Sequence, residues 1–203
     1  LMFSPKTNCL AWTVNRYLCW TSLLDHSSSI RNVQLPGLGS CLAWSPDGTT
    51  IFVGGNFASI SRIETETGIL RTYPDVGVGT NTIVIDSTGQ TVYSGHKDGG
   101  IRSLNLRDES VRCLHTHRSW VRTICLSHDD RLGVSADDDS EVSLWFADSM
   151  EGIGKLCSLR NRGSDNGSIT TRLTFSPDDR ELLAAFFALS QKSIIHRWPL
   201  QRP

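Results

Sequence analysis

Three side chains within residues 117–146 have the types found in a hydrolytic triad. His117, Ser135 and Asp139 could act as base, nucleophile and orienting carboxylate of a serine hydrolase. Such a nucleophile needs an exposed position and an oxyanion hole, and no Gly-x-Ser-x-Gly turn is present. Ser135 instead lies in an apolar, strand-like stretch. The pattern therefore favours a buried hydrogen-bonded group over a catalytic one.

Metal and cofactor chemistry is poorly supported by the remaining motifs. The run Asp137–Asp139 lacks the spaced oxygen ligands and the glycine of a calcium loop. The six histidines and six cysteines show no zinc-finger spacing and no Cys-x-x-Cys pair. The glycines at 54–55 and 77–79 lack the Lys-Ser/Thr of a phosphate-binding loop. We expect no metal ion, no cofactor and no catalytic residue.

The elements that position these side chains are predicted to be short β-strands. Residues 117–146 alternate apolar and polar types with a period of two and are interrupted by polar turns, which is typical of a β-meander. An apolar strand end followed by a polar turn recurs along the chain at intervals of 41, 41, 41 and 49 residues, at Phe3, Trp44, Ile85, Leu126 and Phe175. A period near 41 with about four strands per unit is typical of β-propeller blades.

The predicted fold class is all-β, a propeller of four-stranded antiparallel blades with about four and a half blades present. We expect one domain over residues 1–203, with blades at approximately 1–38, 39–78, 79–117, 118–166 and 167–203. A surface loop at 161–168 would absorb the longer fourth interval. Because the fifth unit lacks a fourth strand, we expect part of a longer propeller. A complete five-bladed ring and an arc completed by another chain are the alternatives.

Residues 117–145 resemble a repeat of the WD-repeat (Trp-Asp) β-propeller family without a gap. The resemblance implies a structural tetrad of hydrogen-bonded side chains: His117, Ser135, Asp139 and Trp145. In such a tetrad the carboxylate orients the imidazole, the imidazole reaches the serine, and the serine engages the indole N–H. The other units match less well, and Trp145 is followed by Phe146 where the family name would require Asp.

The resemblance also implies a function, namely a non-enzymatic scaffold that binds partner peptides or domains on the top face of the propeller. Its motif positions indicate the candidate partner-binding residues Trp120, Arg122, Asp137, Asn81, Ser40 and Thr171. The alternatives are a ligand-binding or catalytic site in the central channel, and a sensor or structural propeller within a larger multidomain protein.

Charge and composition restrict the partners and the location. A formal net charge of −1 gives no electrostatic reason to expect nucleic acid or an anionic membrane as a partner. The longest apolar run has eight residues, well short of the roughly 20 that span a bilayer. Scattered cysteines without glycosylation motifs favour reduced thiols and an intracellular location, cytoplasmic or nuclear.

The tetrad hypothesis predicts that His117→Ala lowers the free energy of unfolding by about 1–3 kcal/mol, because a buried polar partner would be lost. Urea or thermal denaturation of the two proteins measures this difference. An unchanged melting temperature would exclude a fastening role for His117.

Overall fold

The segments in which apolar and polar residues alternate form β-strands throughout the described chain. The computed structural model describes residues 1–24, 29–74, 76–77, 79–158, 168–188 and 194–200. Within these ranges the strands form five sheets, in each of which strands that follow one another in sequence are hydrogen-bonded neighbours. The predicted fold class, all-β with four-stranded antiparallel propeller blades, is confirmed.

The first three sheets contain four described strands each. The first sheet contains β1 (Met2–Phe3), β2 (Cys9–Val14), β3 (Tyr17–Ser22) and β4 (Arg31–Gln34). The second contains β5 (Gly39–Trp44), β6 (Thr50–Gly55), β7 (Ser59–Glu64) and β8 (Leu70–Pro74). The third contains β9 (Thr80–Ile85), β10 (Thr91–His96), β11 (Gly100–Asn105) and β12 (Val111–His115).

The last two sheets complete the described strands. The fourth contains β13 (Val121–Leu126), β14 (Leu132–Asp137), β15 (Glu141–Phe146) and β16 (Gly152–Ser158). The fifth contains three described strands, β17 (Ser168–Phe175), β18 (Glu181–Ala188) and β19 (Ile194–Pro199). The predicted loop at 161–168 lies outside the described residues, apart from Ser168 at the start of β17.

A serine–aspartate pair explains the repeated turn after the first strand of several units. Ser45 Oγ donates to Asp47 Oδ1 at 2.5 Å and accepts from the Thr50 amide at 3.0 Å. The same two bonds recur between β13 and β14, and again between β17 and β18, where Ser127 pairs with Asp129 and Ser176 with Asp178. A serine and an aspartate two residues apart thus close the turn locally, which is why these residue types recur at the repeat interval.

The apolar residues form separate clusters within two compact units. Unit 1 contains Leu1–Ser94 with Leu104–Val111, and unit 2 contains Gly95–Ser103 with Arg112–Pro203. In unit 1, Ile51 and Val53 of β6 enter one cluster, and Phe52 between them enters another. Successive strand residues point to opposite faces of the sheet. A strand that is buried on both faces therefore consists of a continuous run of apolar residues.

The core of unit 2 combines the fourth and fifth sheets. Its buried members are drawn alternately from β14, β15, β17 and β18: Val134, Ala136, Val142, Leu144, Leu173, Phe175, Leu182, Ala184 and Phe186. Trp145 is also fully buried, and it lies opposite Gly133 in the register of β14 and β15. A Cβ atom added to Gly133 would lie 2.3 Å from two indole carbons of Trp145. The large indole therefore requires a residue without a side chain on the neighbouring strand.

We expect Gly133→Ala to lower the free energy of unfolding by about 1–3 kcal/mol, because the added methyl group overpacks the Trp145 indole. Gly152→Ala is a matched control, since Gly152 opposes Trp145 on β16 and an added Cβ meets no atom within 4 Å. Urea denaturation of the two variants compares them directly. Equal stability of the two variants would contradict this packing constraint.

Candidate functional site

An exposed tryptophan in unit 2 has two cations over its ring. Trp120 precedes β13 and is 41% exposed. Lys97 Nζ lies 4.7 Å from the centroid of its ring, and Arg122 Cζ lies 5.0 Å from it. Both distances are within the range of cation–π attraction. We refer to Lys97, Trp120, Arg122 and Asp138 as the Trp120 surface.

Arg122 is held in place by a carboxylate as well as by the ring. Its Nε and Nη2 atoms both donate to Asp138, the second at 2.8 Å. The hydrogen bonds that Arg122 donates to Asp138 raise the pKa of Arg122, so this guanidinium stays charged. The Asp138 amide donates to the Trp120 carbonyl at 3.1 Å, which ties the turn after β14 to the loop before β13. The Trp120 surface is therefore ordered by contacts among its own members.

A buried polar group lies in the same blade as the Trp120 surface. His117 Nε2 lies 2.7 Å from Ser135 Oγ, and both side chains are buried. His117 Nδ1 lies 3.3 Å from Asp137 Oδ2. The Asp137 carboxylate also accepts the Glu141 amide at 2.9 Å. These contacts join the loop before β13 to β14 and to the start of β15.

The carboxylate beside the imidazole is Asp137, in the place that the family resemblance assigned to Asp139. Asp137, which was predicted to lie on the partner-binding face, is only 1% exposed, and its side chain faces His117. Asp139 is half-buried in the turn that follows β14. Ser135 and Trp145 are both 0% exposed, and a serine without solvent access cannot serve as a nucleophile.

The environment of Asp137 keeps its carboxyl group ionised. Burial by itself would raise the pKa of Asp137, but the hydrogen bonds from His117 and from the Glu141 amide outweigh burial and lower this pKa. A buried carboxylate is tolerated when its oxygens accept hydrogen bonds. Asp137 therefore contributes a negative charge that orients the imidazole.

Three potential metal ligands meet at this point. One donor atom from each of His117, Asp137 and Glu141 lies within 4.8 Å of the other two. The Lys155 ammonium already lies 2.6 Å from Glu141 Oε1. His117 Nδ1 and Glu141 Oε1 thus have charged neighbours but no hydrogen-bond partner among the described residues, whereas His117 Nε2 is hydrogen-bonded to Ser135.

The remaining predicted partner-binding residues do not belong to the Trp120 surface as described. Ser40 is on β5 and Asn81 is on β9, both in unit 1, and Ser40 Oγ donates to the Thr80 carbonyl at 2.7 Å. This bond links the first strands of two successive blades. Thr171 is part of β17, but its side chain lies outside the described residues.

Comparison with known proteins places this blade in a family. The model of the family "WD domain, G-beta repeat" (WD40) matches residues 18–57 and 108–145. The second match contains Trp120, the His117–Ser135 pair and Trp145. The chain carries WD40 repeats. The predicted resemblance to the WD-repeat family is confirmed.

Curated relatives with this type of repeat are much longer than the chain. Nuclear distribution protein PAC1-2 of Uncinocarpus reesii (strain UAMH 1704) is 32% identical over 45% of this chain and 19% of its own length. Protein FIZZY-RELATED 3 of Arabidopsis thaliana is 27% identical over 82% of this chain and 38% of its own length. Autophagy-related protein 16 of Arabidopsis thaliana is 28% identical over 60% of this chain and 23% of its own length. The chain thus spans less than two fifths of each relative.

A solved structure shares the fold at low sequence identity. It is titled Kuenenia stuttgartiensis Hydrazine Synthase, has a TM-score of 0.78 and is 14% identical. The match covers 98% of this chain and 64% of that one. In the described residues of the WD40-repeat chain, no helix is long and apolar enough to cross a membrane.

Two residues of the Trp120 surface, Lys97 and Asp138, were not among the predicted partner-binding residues. Lys97 comes from the turn before β11, and Asp138 from the turn after β14. Gly99 allows the turn between β10 and β11 to approach the loop that carries His117. Its φ is +80°, and an added Cβ would lie 2.2 Å from the His117 carbonyl oxygen. In the sequence, Lys97 could have been found from the Asp98-Gly99 turn motif, because this motif directly follows it.

The lowered pKa of Asp137 predicts a change in the pH dependence of stability. Its charged form stabilises the fold above the unfolded-state pKa of about 3.9, and this contribution is lost as pH falls through the lower folded-state pKa. We expect Asp137→Asn to lose less stability than the original protein between about pH 4 and pH 2. Urea denaturation across this range, with the exposed Asp148→Asn as a control, measures the difference. Parallel curves for the original protein and Asp137→Asn would contradict the assignment.

Proposed function

We propose that the protein is a non-enzymatic interaction scaffold that binds a segment of a partner protein on the Trp120 surface. The observation that carries this proposal is the exposed Trp120 ring between Lys97 and Arg122. The WD40 repeats and the curated relatives support an interaction scaffold in general terms. The particular surface is our inference from unit 2.

The order of the Trp120 surface favours binding because little conformational entropy remains to be lost. Cation–π contacts restrain the ring, and the Asp138 carboxylate restrains Arg122. Tryptophan and arginine are the residue types that most often anchor protein interfaces. A side chain that is ordered before binding costs less to immobilise, by about 0.5–1.5 kcal/mol per flexible side chain.

The charges indicate the kind of segment that would fit. In the described part of the chain, Lys97 has no carboxylate partner and its only recorded contact is the Trp120 ring. Arg118 is exposed on the same loop as Trp120. A segment that places an apolar side chain on Trp120 and a carboxylate near these cations would complement the surface.

The thiols support an intracellular setting, cytoplasmic or nuclear. Cys9, Cys19, Cys41, Cys113 and Cys125 are free. Burial raises the pKa of the Cys41 and Cys125 thiols to about 12, so both remain protonated and unreactive. Unpaired cysteines of this kind are ordinary in a reducing compartment.

The experiment compares the double variant Trp120→Ala, Arg122→Glu with the original protein and with Phe146→Ala. Phe146 is 45% exposed in the same unit and lies outside the Trp120 surface, which makes it a matched control for loss of an apolar side chain. Quantitative affinity enrichment identifies partners, and titration of a purified partner then measures the dissociation constant.

We expect the double variant to bind the partner at least about tenfold more weakly, as for loss of an interface anchor, while Phe146→Ala binds like the original protein. Circular dichroism of the three proteins verifies that all are folded. Equal binding by the folded double variant would place the interaction elsewhere.

A further inference from the structure

A polar cavity of about 430 Å³ lies in unit 1 and shares no lining residue with the Trp120 surface. Its walls come from the turn between β5 and β6, the turn between β9 and β10, residues of β6 and β7, the loop after β1 and the loop after β11. The side chains that the argument uses are Lys6, Asp47, Phe52, Arg62, Thr88 and Leu106. Its volume is within the roughly 300–1,000 Å³ of small-ligand sites.

The cavity contains a guanidinium without hydrogen-bond acceptors. Among the described residues, the Arg62 side chain has no hydrogen-bond acceptor, and its ion pair is to Glu64 Oε1, 3.8 Å from Nη2. That separation is too long for a hydrogen bond. Arg62 Nε is enclosed by the protein without an acceptor. A half-buried guanidinium normally has its donors satisfied, so this side chain lacks an oxygen-rich partner.

The charges around the cavity favour an anion. Lys6 is exposed and has no recorded ion pair in the described chain, and it adds a second positive charge to that of Arg62. Asp47 is the one carboxylate among the described residues that line the cavity. Its Oδ1 atom is engaged by Ser45 Oγ, the Thr49 amide and Thr49 Oγ1, and these bonds, Ser45 first, lower the pKa of Asp47. Asp47 is thus committed to its own turn. Two cations and one carboxylate are among the described lining residues, and the Glu64 carboxylate lies outside the lining, 3.8 Å from Arg62 Nη2.

We propose that this cavity binds a phosphate monoester, with Arg62 and Lys6 as the groups that recognise the phosphate. A guanidinium donates two parallel N–H bonds to phosphate oxygens, and an ammonium adds a point charge. The hydroxyl of Thr88 supplies a further donor in the lining. Phe52 and Leu106 provide apolar surface for the carbon skeleton that carries the phosphate.

The phosphate monoester has two possible sources, a phosphorylated side chain or a free small phosphate, and the probes separate them. Isothermal titration of the full chain at constant ionic strength uses inorganic phosphate in one arm and N-acetyl-O-phosphoserine amide in the other. Unphosphorylated N-acetyl-serine amide is the blank. The variants are Arg62→Gln and Lys6→Gln, and Arg107→Gln is the control, since Arg107 is an exposed arginine of unit 1 outside the cavity.

We expect saturable binding of at least one phosphate probe, weakened about tenfold by Arg62→Gln and about threefold or more by Lys6→Gln, with Arg107→Gln unchanged. Tighter binding of the phosphoserine probe would assign the site to a phosphorylated side chain, and equal binding would assign it to free phosphate. Because Lys6 is exposed, we expect Lys6→Gln to fold. This variant therefore tests the proposal if Arg62→Gln does not fold. The absence of saturable binding, or equal binding by the cavity variants and Arg107→Gln, would overturn the proposal.

Discussion

The contact between the His117 imidazole and the Ser135 hydroxyl holds the fourth blade together at its first two strands. Both groups are buried, so each satisfies a polar atom that water cannot reach. Asp137 fixes the imidazole from the other side. The loop that carries His117 continues directly into Trp120. The position of the exposed tryptophan therefore depends on a polar group enclosed below it.

Three consecutive aspartates at the end of β14 show how position divides structural from surface roles. Asp137 is the last residue of the strand and is enclosed with His117. Asp138 lies in the turn and binds Arg122 beside the exposed ring. Asp139 is half-buried in the same turn. Adjacent residues at a strand end point in different directions, so three identical aspartate side chains have different roles.

The turns repeat one hydrogen-bonding pattern, and the strands repeat one packing pattern. A serine that bonds an aspartate two residues later closes the first turn of three blades. Strands such as β6 send alternate apolar residues into two different clusters. Because each turn is satisfied locally, its other side chains are available to line surfaces. In unit 1, such turns border the cavity that contains Arg62.

The amino-acid sequence by itself determined the strands and their turns, because period-two alternation, turn chemistry and repeat spacing are local properties. The pairing of His117 with Ser135 was implied by the resemblance to the WD-repeat family. Only the tertiary structure decided which carboxylate meets the imidazole, since that choice depends on strand register and on the path of the turn. It also brought Lys97 to Trp120 and enclosed Arg62 without an acceptor. Both outcomes join residues from different turns and strands, and such contacts leave no periodic trace in the sequence.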